Sequence, residues 1–161
     1  MQTGQMRQAM SDHDDVYFED FAKGQVFTLG SAVVTESGII DFGREFDPQS
    51  FHIDPVAAID SPMGGLVASG FHTLALSFRL FIDLGLLRAC SVGGANLNDV
   101  RWTKAVRPDD LISGSVTVRD VRNIPLPGNR GLAQFSFEII NQAHERVLSY
   151  LATIVLKGRG A

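Results

Sequence analysis

Hydrophobic residues recur with one period in the first half of the chain and with another in the second half. In the first half Ile39, Ile40, Phe42 and Phe46 follow helical spacing, which predicts a short helix capped by Thr35 and ended near Pro48. In the second half apolar and polar residues alternate, as in strands with one buried face. Three runs show this alternation: Ile112, Val116 and Val118; Ala133, Phe135, Phe137 and Ile139; and Leu148, Tyr150, Ala152, Ile154 and Leu156.

The most apolar element follows a glycine-rich loop, at residues 68–87. A helix that is apolar on two faces is expected to be surrounded by protein rather than to lie on a surface. Arg79 and Asp83 interrupt the apolar run, and charges at that depth disfavour a membrane span. The two stripes of this predicted helix are Phe71, Leu74, Phe78 and Phe81, and Leu76, Leu80 and Leu84.

The remaining segments complete an α+β pattern. One strand is predicted at residues 25–35 and another at 98–106, and Asp54 is the predicted N-cap of a short helix whose first residue is Pro55. We therefore expect a curved antiparallel sheet wrapped around one long buried helix, with short helices in an overhanging segment. The exposed edges of a sheet of five or six strands favour dimerisation.

Composition limits the classes of protein and partner. The 161 residues are 45% hydrophobic and 20% charged, as in one globular domain, and the net charge of −4 argues against nucleic acid as a partner. Residues 1–15 lack the apolar segment of a signal peptide and are predicted to be a flexible tail, which leaves residues 16–161 as a single domain. Cys90 is the only cysteine, so no internal disulfide forms and a cytoplasmic location is expected.

Two segments carry candidate chemistry. Asp47 and His52 flank a turn-prone stretch that can place both side chains on one side, where a carboxylate and a neutral imidazole together hold a water molecule. For an arbitrary His/Asp pair, a turn carboxylate and an exposed histidine would be the commoner interpretation. The segment GGLVASG leads into the buried helix, so the amides near Ser69, Gly70 and Phe71 are expected to stabilise negative charge.

Other polar residues are weaker candidates. His72 is expected to be a hydrogen-bonded core histidine, whereas His13 and His144 lie in the predicted tail and in a turn. No three residues show metal-ligand spacing, so no metal is expected. Three cations, Arg101, Lys104 and Arg107, can meet the phosphates of a nucleotide-like group, although solvated charges at a strand end are commoner.

Three segments, FDPQSFHIDPVAA, GGLVASGFHTLAL and VRWTKAVRPDDLI, resemble the MaoC-like dehydratase family, the hot-dog-fold (R)-specific enoyl-CoA hydratases and their relatives. The resemblance extends from about residue 15 to 156 and implies a hot-dog fold. It implies that Asp47 and His52 activate one water for addition to the β-carbon of a trans-2-enoyl thioester and supply the α-proton. Gly70 matches the glycine whose N–H binds the thioester carbonyl.

The resemblance also implies a substrate and an assembly. The expected partner is an acyl-CoA thioester, with coenzyme A as part of the substrate and no separate cofactor, bound by a homodimer or higher homo-oligomer. Ser69, Phe71, Phe51 and Gln49 are expected to contact the substrate. In the family motif Asp-x-Asn-Pro-x-His, Gln49 here replaces the asparagine and Ser50 the proline, and loss of the fixed proline φ would loosen the spacing of the acid–base pair.

Three interpretations follow from these residues. The first is a hydro-lyase that hydrates enoyl-CoA. The second is an acyl-CoA thioesterase, since the same fold hosts hydrolysis in which one carboxylate activates water. The third, motivated by the altered loop at Gln49 and Ser50, is a non-catalytic acyl-CoA-binding subunit.

Overall fold

A computed structural model describes residues 15–125 and 127–161. A 3₁₀ helix at Phe18–Asp20 precedes two short strands, then four helices and then four consecutive strands. In chain order these are β1 (Val26–Thr28), β2 (Ala32–Val33), α1 (Glu36–Phe46), α2 (Ser50–Ile53), α3 (Pro55–Ile59), α4 (Gly70–Ile82), β3 (Ser91–Trp102), β4 (Leu111–Ile124), β5 (Arg130–Ile140) and β6 (Arg146–Lys157).

The strands form one antiparallel sheet in the order β1-β4-β5-β6-β3, and β2 pairs with a separate part of β4. Hairpins join β4 to β5 and β5 to β6, whereas β3 pairs with β6 and lies at the edge. The predicted alternation is confirmed, because the apolar positions of β4, β5 and β6 are buried on one face. This face receives α4, which gives the α+β hot-dog fold expected from the sequence.

Helix α4 packs on the centre of this sheet through aromatic contacts. The Phe81 ring centroid lies 5.1 Å from that of Phe135 and 5.3 Å from that of Phe137. One turn nearer the helix N-terminus, the Ser77 and Tyr150 hydroxyls are 3.0 Å apart and share a buried hydrogen bond. These contacts fix the height of the helix over the sheet and therefore the position of its N-terminus.

The prediction that this helix is surrounded by protein is wrong for one of its faces. The helix is shorter than residues 68–87, and in the single chain Phe71 is 63% exposed and Ile82 is also exposed. This face borders a groove of about 570 Å³ whose opposite wall includes Leu97 of β3. Because β3 is the last strand of the sheet, no further strand among the described residues covers this side of the helix.

Two predicted strands have different bounds in the structure. The expected strand at residues 25–35 is two short strands that meet different parts of β4, with Val26 opposite Thr117 and Ala32 opposite Ile112. The strand expected at 98–106 begins earlier, at Ser91, because pairing with β6 extends through its two glycines.

Most of the predicted tail, residues 1–14, lies outside the described residues. Within the described ranges, helices long and apolar enough to cross a membrane are absent.

Candidate functional site

Helix α1 ends so that Asp47 is its C-terminal cap. The helix starts at the predicted N-cap, where the Thr35 hydroxyl accepts a hydrogen bond from the Gly38 amide at 3.1 Å. Asp47 leaves the helical region, with φ −150° and ψ 69°, because Pro48 follows it. Its carboxylate therefore lies at the end of a well-defined helix rather than in a free loop.

Helix α2 brings His52 against α1. The two helices approach closely at Gly43, where an added Cβ would lie 2.8 Å from the His52 carbonyl oxygen and 2.9 Å from Ile53 Cγ2. Only glycine leaves room for this approach without a shift. His52 is 6% exposed as a result, and its ring is held toward the end of α1.

The N-terminus of α4 forms the third side of the site. Ser69 caps this helix, since its hydroxyl oxygen accepts a hydrogen bond from the Phe71 amide at 3.3 Å. The same hydroxyl donates to Asp47 Oδ2 at 2.7 Å. The preceding loop is tied down where the Val67 amide donates to the Phe51 carbonyl at 3.0 Å. A single serine thus joins the end of α1 to the start of α4.

The side chains of Asp47 and His52 meet at this point. His52 Nε2 lies 3.3 Å from Asp47 Oδ2, and His52 Nδ1 lies 2.7 Å from the Val67 carbonyl oxygen. A carbonyl oxygen only accepts hydrogen bonds, so Nδ1 carries the proton in that contact. In the neutral imidazole, Nε2 therefore presents a lone pair beside the carboxylate.

Hydrogen bonds keep Asp47 ionised. Burial raises the pKa of this carboxyl, but the hydrogen bonds from Ser69 and Gln49, together with the attraction of His52 when its ring is protonated, hold the pKa below its ordinary value. The Gln49 amide donates to Oδ1 at 2.8 Å, so each carboxylate oxygen has a donor. A water molecule beside an ionised carboxylate and a neutral imidazole can donate one hydrogen to each.

These residues border one cleft of about 480 Å³. Six of the seven residues predicted from the sequence line it: Asp47, His52, Gly70, Phe51, Phe71 and Gln49. Ser69 is buried behind the cleft wall, where its hydroxyl is engaged by Asp47 and the Phe71 amide. The structure brings all seven residues together at one place, and their roles in catalysis and substrate binding stay predictions.

Residues 20–128 match the family described as the MaoC like domain. The chain belongs to this family. It is 32% identical to the protein YdeM of Bacillus subtilis (strain 168) over 139 aligned residues. The aligned region covers 86% of this chain and 97% of YdeM. A MaoC-like dehydratase from Rhodospirillum rubrum is similar in structure, with a TM-score of 0.79, 32% identity and coverage of 91% of this chain and 99% of that chain. R-hydratase PhaJ1 from Pseudomonas aeruginosa shares the fold at 19% identity, with a TM-score of 0.72 over 90% of this chain and 88% of that chain.

Two predictions about polar residues of this MaoC-like domain have opposite outcomes. Asp54 caps α3 as expected, with Oδ1 accepting from the Val56 and Ala57 amides at 2.9 and 3.0 Å. His72 was expected to be hydrogen-bonded and is not, because among the described residues its buried Nδ1 has no partner. Its ring instead stacks on Phe42 at a centroid distance of 4.8 Å, and burial lowers its pKa.

Two of the three predicted cations near the MaoC-like cleft have protein partners. Lys104 Nζ lies 2.6 Å from Glu145 Oε1, and Arg107 Nη2 donates to the Met63 carbonyl at 2.6 Å. These contacts support the interpretation of the two side chains as surface charges. No group of three candidate metal ligands occurs among the residues that the structure describes.

Three residues that position the MaoC-like site were missed from the sequence. A glycine inside a predicted helix, as at Gly43, does not by itself indicate a close helix contact, and Val67 gives no signal because its contribution is a backbone carbonyl. Trp102 lines the cleft beside Gly70, although its place in a predicted strand did not indicate this. The sequence offered only one indication of its importance, which is that Trp102 is the only tryptophan of the chain.

Proposed function

We propose that this MaoC-like domain reversibly adds water across the 2,3 double bond of an enoyl-CoA thioester. The observation that carries the proposal is the meeting of Asp47 and His52, whose Oδ2 and Nε2 atoms are 3.3 Å apart in a cleft that Gly70 also borders. Membership of the MaoC-like family and 32% identity to a MaoC-like dehydratase support hydratase-type chemistry.

The proposed reaction starts from a water molecule bound to both side chains. His52 Nε2 takes one proton while the water oxygen forms a bond to C3 of the enoyl thioester. Electrons of the double bond move toward the thioester oxygen, and the pair then returns a proton to C2. The net change is the addition of one hydroxyl and one hydrogen, and both side chains regain their starting charge.

Gly70 supplies the proposed electrophilic side of the site. It occupies the first position of α4, where the amide N–H has no acceptor within the helix. A thioester oxygen at this position would meet that N–H and the positive end of the helix dipole as negative charge develops. The carbonyl and the acid–base pair would then act on opposite ends of the conjugated system.

The two departures from the family motif are compatible with this chemistry. Gln49 reaches Asp47 Oδ1 with its side-chain amide, so it braces the carboxylate directly. Ser50 is the first residue of α2, and the hydrogen bonds of His52 hold the spacing of the pair without a proline. Hydration therefore stays the proposed function despite Gln49 and Ser50.

A second copy of the chain is the proposed partner. The free edge of β3 offers twelve residues, and the groove beside it is lined by apolar residues of α4 and by Leu97. An antiparallel pairing of β3 with its copy would extend the sheet and cover this groove. We also propose a cytoplasmic location, since Cys90, the only cysteine of the sequence, cannot form an internal disulfide.

The function is tested by mixing the purified chain with enoyl-CoA thioesters of varied length and polarity. Hydration predicts loss of the absorbance of the conjugated enoyl thioester with no release of free thiol. Release of thiol from these or from saturated acyl-CoA substrates would instead show a thioesterase. Saturable binding with no turnover across the panel would show a non-catalytic subunit, and either result would contradict the proposal.

A further inference from the structure

Trp102 of β3 contacts the first residue of α4. Its indole Nε1 donates a hydrogen bond to the Gly70 carbonyl oxygen at 2.8 Å. A Cβ added to Gly70 would lie 2.7 Å from two atoms of the indole, and its three nearest atoms all belong to Trp102. The ring also meets Phe71 edge-to-face at 5.9 Å.

A β-bulge in β3 turns the indole toward the helix. Leu97 lies opposite Ala152 and Trp102 lies opposite Leu148, so β3 advances five residues while β6 advances four. Ala152 and Leu148 are both buried on the inner face, and without an extra residue Leu97 and Trp102 would point to opposite faces. Asp99, with φ 51°, occupies the irregular segment and allows both to face inward.

The indole begins a continuous series of contacts that ends at the acid–base pair. Trp102 holds the carbonyl of the Gly70–Phe71 peptide, and the N–H of this same peptide donates to the Ser69 hydroxyl at 3.3 Å. The Ser69 hydroxyl donates to Asp47 Oδ2 at 2.7 Å. A tilt of the Gly70–Phe71 peptide would therefore disturb both the helix mouth and the carboxylate.

We propose that Trp102 is a positioning residue, which holds the Gly70–Phe71 peptide. This peptide adjoins the Gly70 N–H that is proposed to meet the thioester, and its own N–H contacts the Ser69 hydroxyl that donates to Asp47. This inference rests on the hydratase function proposed above. Trp102 is 47% exposed, so its side chain is not part of the buried core. Its half-exposed ring, directed inward by a bulge and hydrogen-bonded to the helix mouth, fits a role in the site better than one in the core.

The kinetic test is Trp102→Phe, which keeps an aromatic ring beside Phe71 and removes the N–H donor. Loss of one neutral hydrogen bond is expected to lower kcat about five- to tenfold, with KM changed less than about twofold. Val26→Ala, an exposed apolar truncation at the other sheet edge, should leave both constants unchanged. Wild-type kcat in Trp102→Phe, or a rise in KM alone, would overturn the positioning role.

A second test measures stability instead of turnover, so it examines the contact between Gly70 and the Trp102 indole independently of the proposed function. Without the indole, alanine at the first position of a helix is at least as stable as glycine. Gly70→Ala should therefore lower the urea midpoint of unfolding in the wild-type background and leave it unchanged or higher in Trp102→Ala. Equal falls in both backgrounds would refute the contact.

The two tests distinguish the two proposals. If the wild-type chain hydrates enoyl-CoA and Trp102→Phe is as fast, the positioning role fails and the function stands. If the wild-type chain hydrates no enoyl thioester, the function fails together with the role of Trp102 in it, even where the midpoints of unfolding confirm the contact.

Discussion

The Val67 carbonyl oxygen decides which nitrogen of His52 is available for chemistry. By accepting a hydrogen bond from Nδ1 at 2.7 Å, it leaves Nε2 of the neutral ring facing Asp47. Ser69 and Gln49 meanwhile hold the two oxygens of Asp47, so neither partner is free to rotate away. At the scale of single residues, the site consists of two fixed proton acceptors that converge on the same point.

His72 gives a prediction about stability and pH. Its folded-state pKa lies below the ordinary value of 6.5 because the ring is buried, 8% exposed and stacked on Phe42. The unfolded chain therefore binds more protons than the folded chain at acidic pH, and the free energy of unfolding falls as pH decreases from about 6.5 toward the lowered pKa. Each unit of pKa difference corresponds to about 1.4 kcal/mol.

The measurement is urea unfolding of the wild type and His72→Gln at several pH values between neutral and acidic. The variant should lose less stability on acidification, since glutamine does not titrate. His144→Gln, at an exposed turn, is the matched control and should keep the wild-type dependence. Parallel curves for the wild type and His72→Gln would show that another group governs the effect.

Among the helices, the contact of α1 with α2 sets the distance between Asp47 and His52. Gly43 is the point of closest approach, and its replacement would press directly on the backbone of His52. Ser50 lies in the same short helix but at its first position, preceded by Gln49 in an extended conformation with φ −83° and ψ 143°. Such a position accepts proline without loss of a helical hydrogen bond.

Gly43→Ala and Ser50→Pro are therefore expected to have different effects on the stability of the fold. Gly43→Ala should destabilise the fold by about 1–3 kcal/mol through overpacking and lower turnover by displacing His52. Ser50→Pro should be neutral or stabilising by up to about 1 kcal/mol and keep turnover. Urea unfolding and the hydration assay check both, and full turnover in Gly43→Ala would contradict the role given to the helix contact.

The elements differ in how far the sequence predicts them. Thr35 and Asp54 were identified as helix caps because capping depends on residues a few positions away, and both caps are confirmed. The alternation of apolar and polar residues in β4, β5 and β6 can likewise be read from neighbouring residues alone. The pairing of β3 with β6, and the bulge at Asp99 that turns Trp102 inward, depend on a strand that is distant in sequence, and they leave no periodic signal.

The candidate site shows the same limit. Asp47, His52 and Gly70 were found through motifs, and they do line one cleft. The residues that hold them, Gly43 and Val67, act through a missing side chain and a backbone carbonyl. Neither kind of contribution is visible in residue chemistry, so the sequence indicated the candidate reacting groups but not Gly43 and Val67, which position them.

At the scale of the whole molecule, the uncovered face of α4 and the free edge of β3 lie side by side. Their apolar residues include Phe71, Ile82, Val92 and Leu97, all exposed in the single chain. Exposed apolar surface next to an open edge strand is typical of a protein interface. The sequence-based expectation of a fully enclosed helix would hold only if a second copy covers this face.

Leu97→Asp tests the assembly. A carboxylate in the groove should weaken association and convert a dimer of the 17.5 kDa chain into a monomer, because burying an unpaired charge is costly. Sedimentation or light scattering measures the mass, and circular dichroism checks the fold. Val26→Asp, exposed at the opposite edge on β1, should remain dimeric. Dissociation by Val26→Asp alone would place the interface at the other edge.

If Asp47 and His52 act together on one water molecule, replacing both should cost no more turnover than replacing one, which a double-mutant comparison of kcat measures. Asp47→Asn and His52→Gln should each lower kcat about 10²- to 10⁴-fold, and the double variant should be no slower than the slower single variant. Asp41→Asn on the exposed side of α1 and His144→Gln are the matched controls and should retain wild-type turnover. Near-wild-type kcat in either folded single variant, or losses that multiply in the double variant, would contradict the claim.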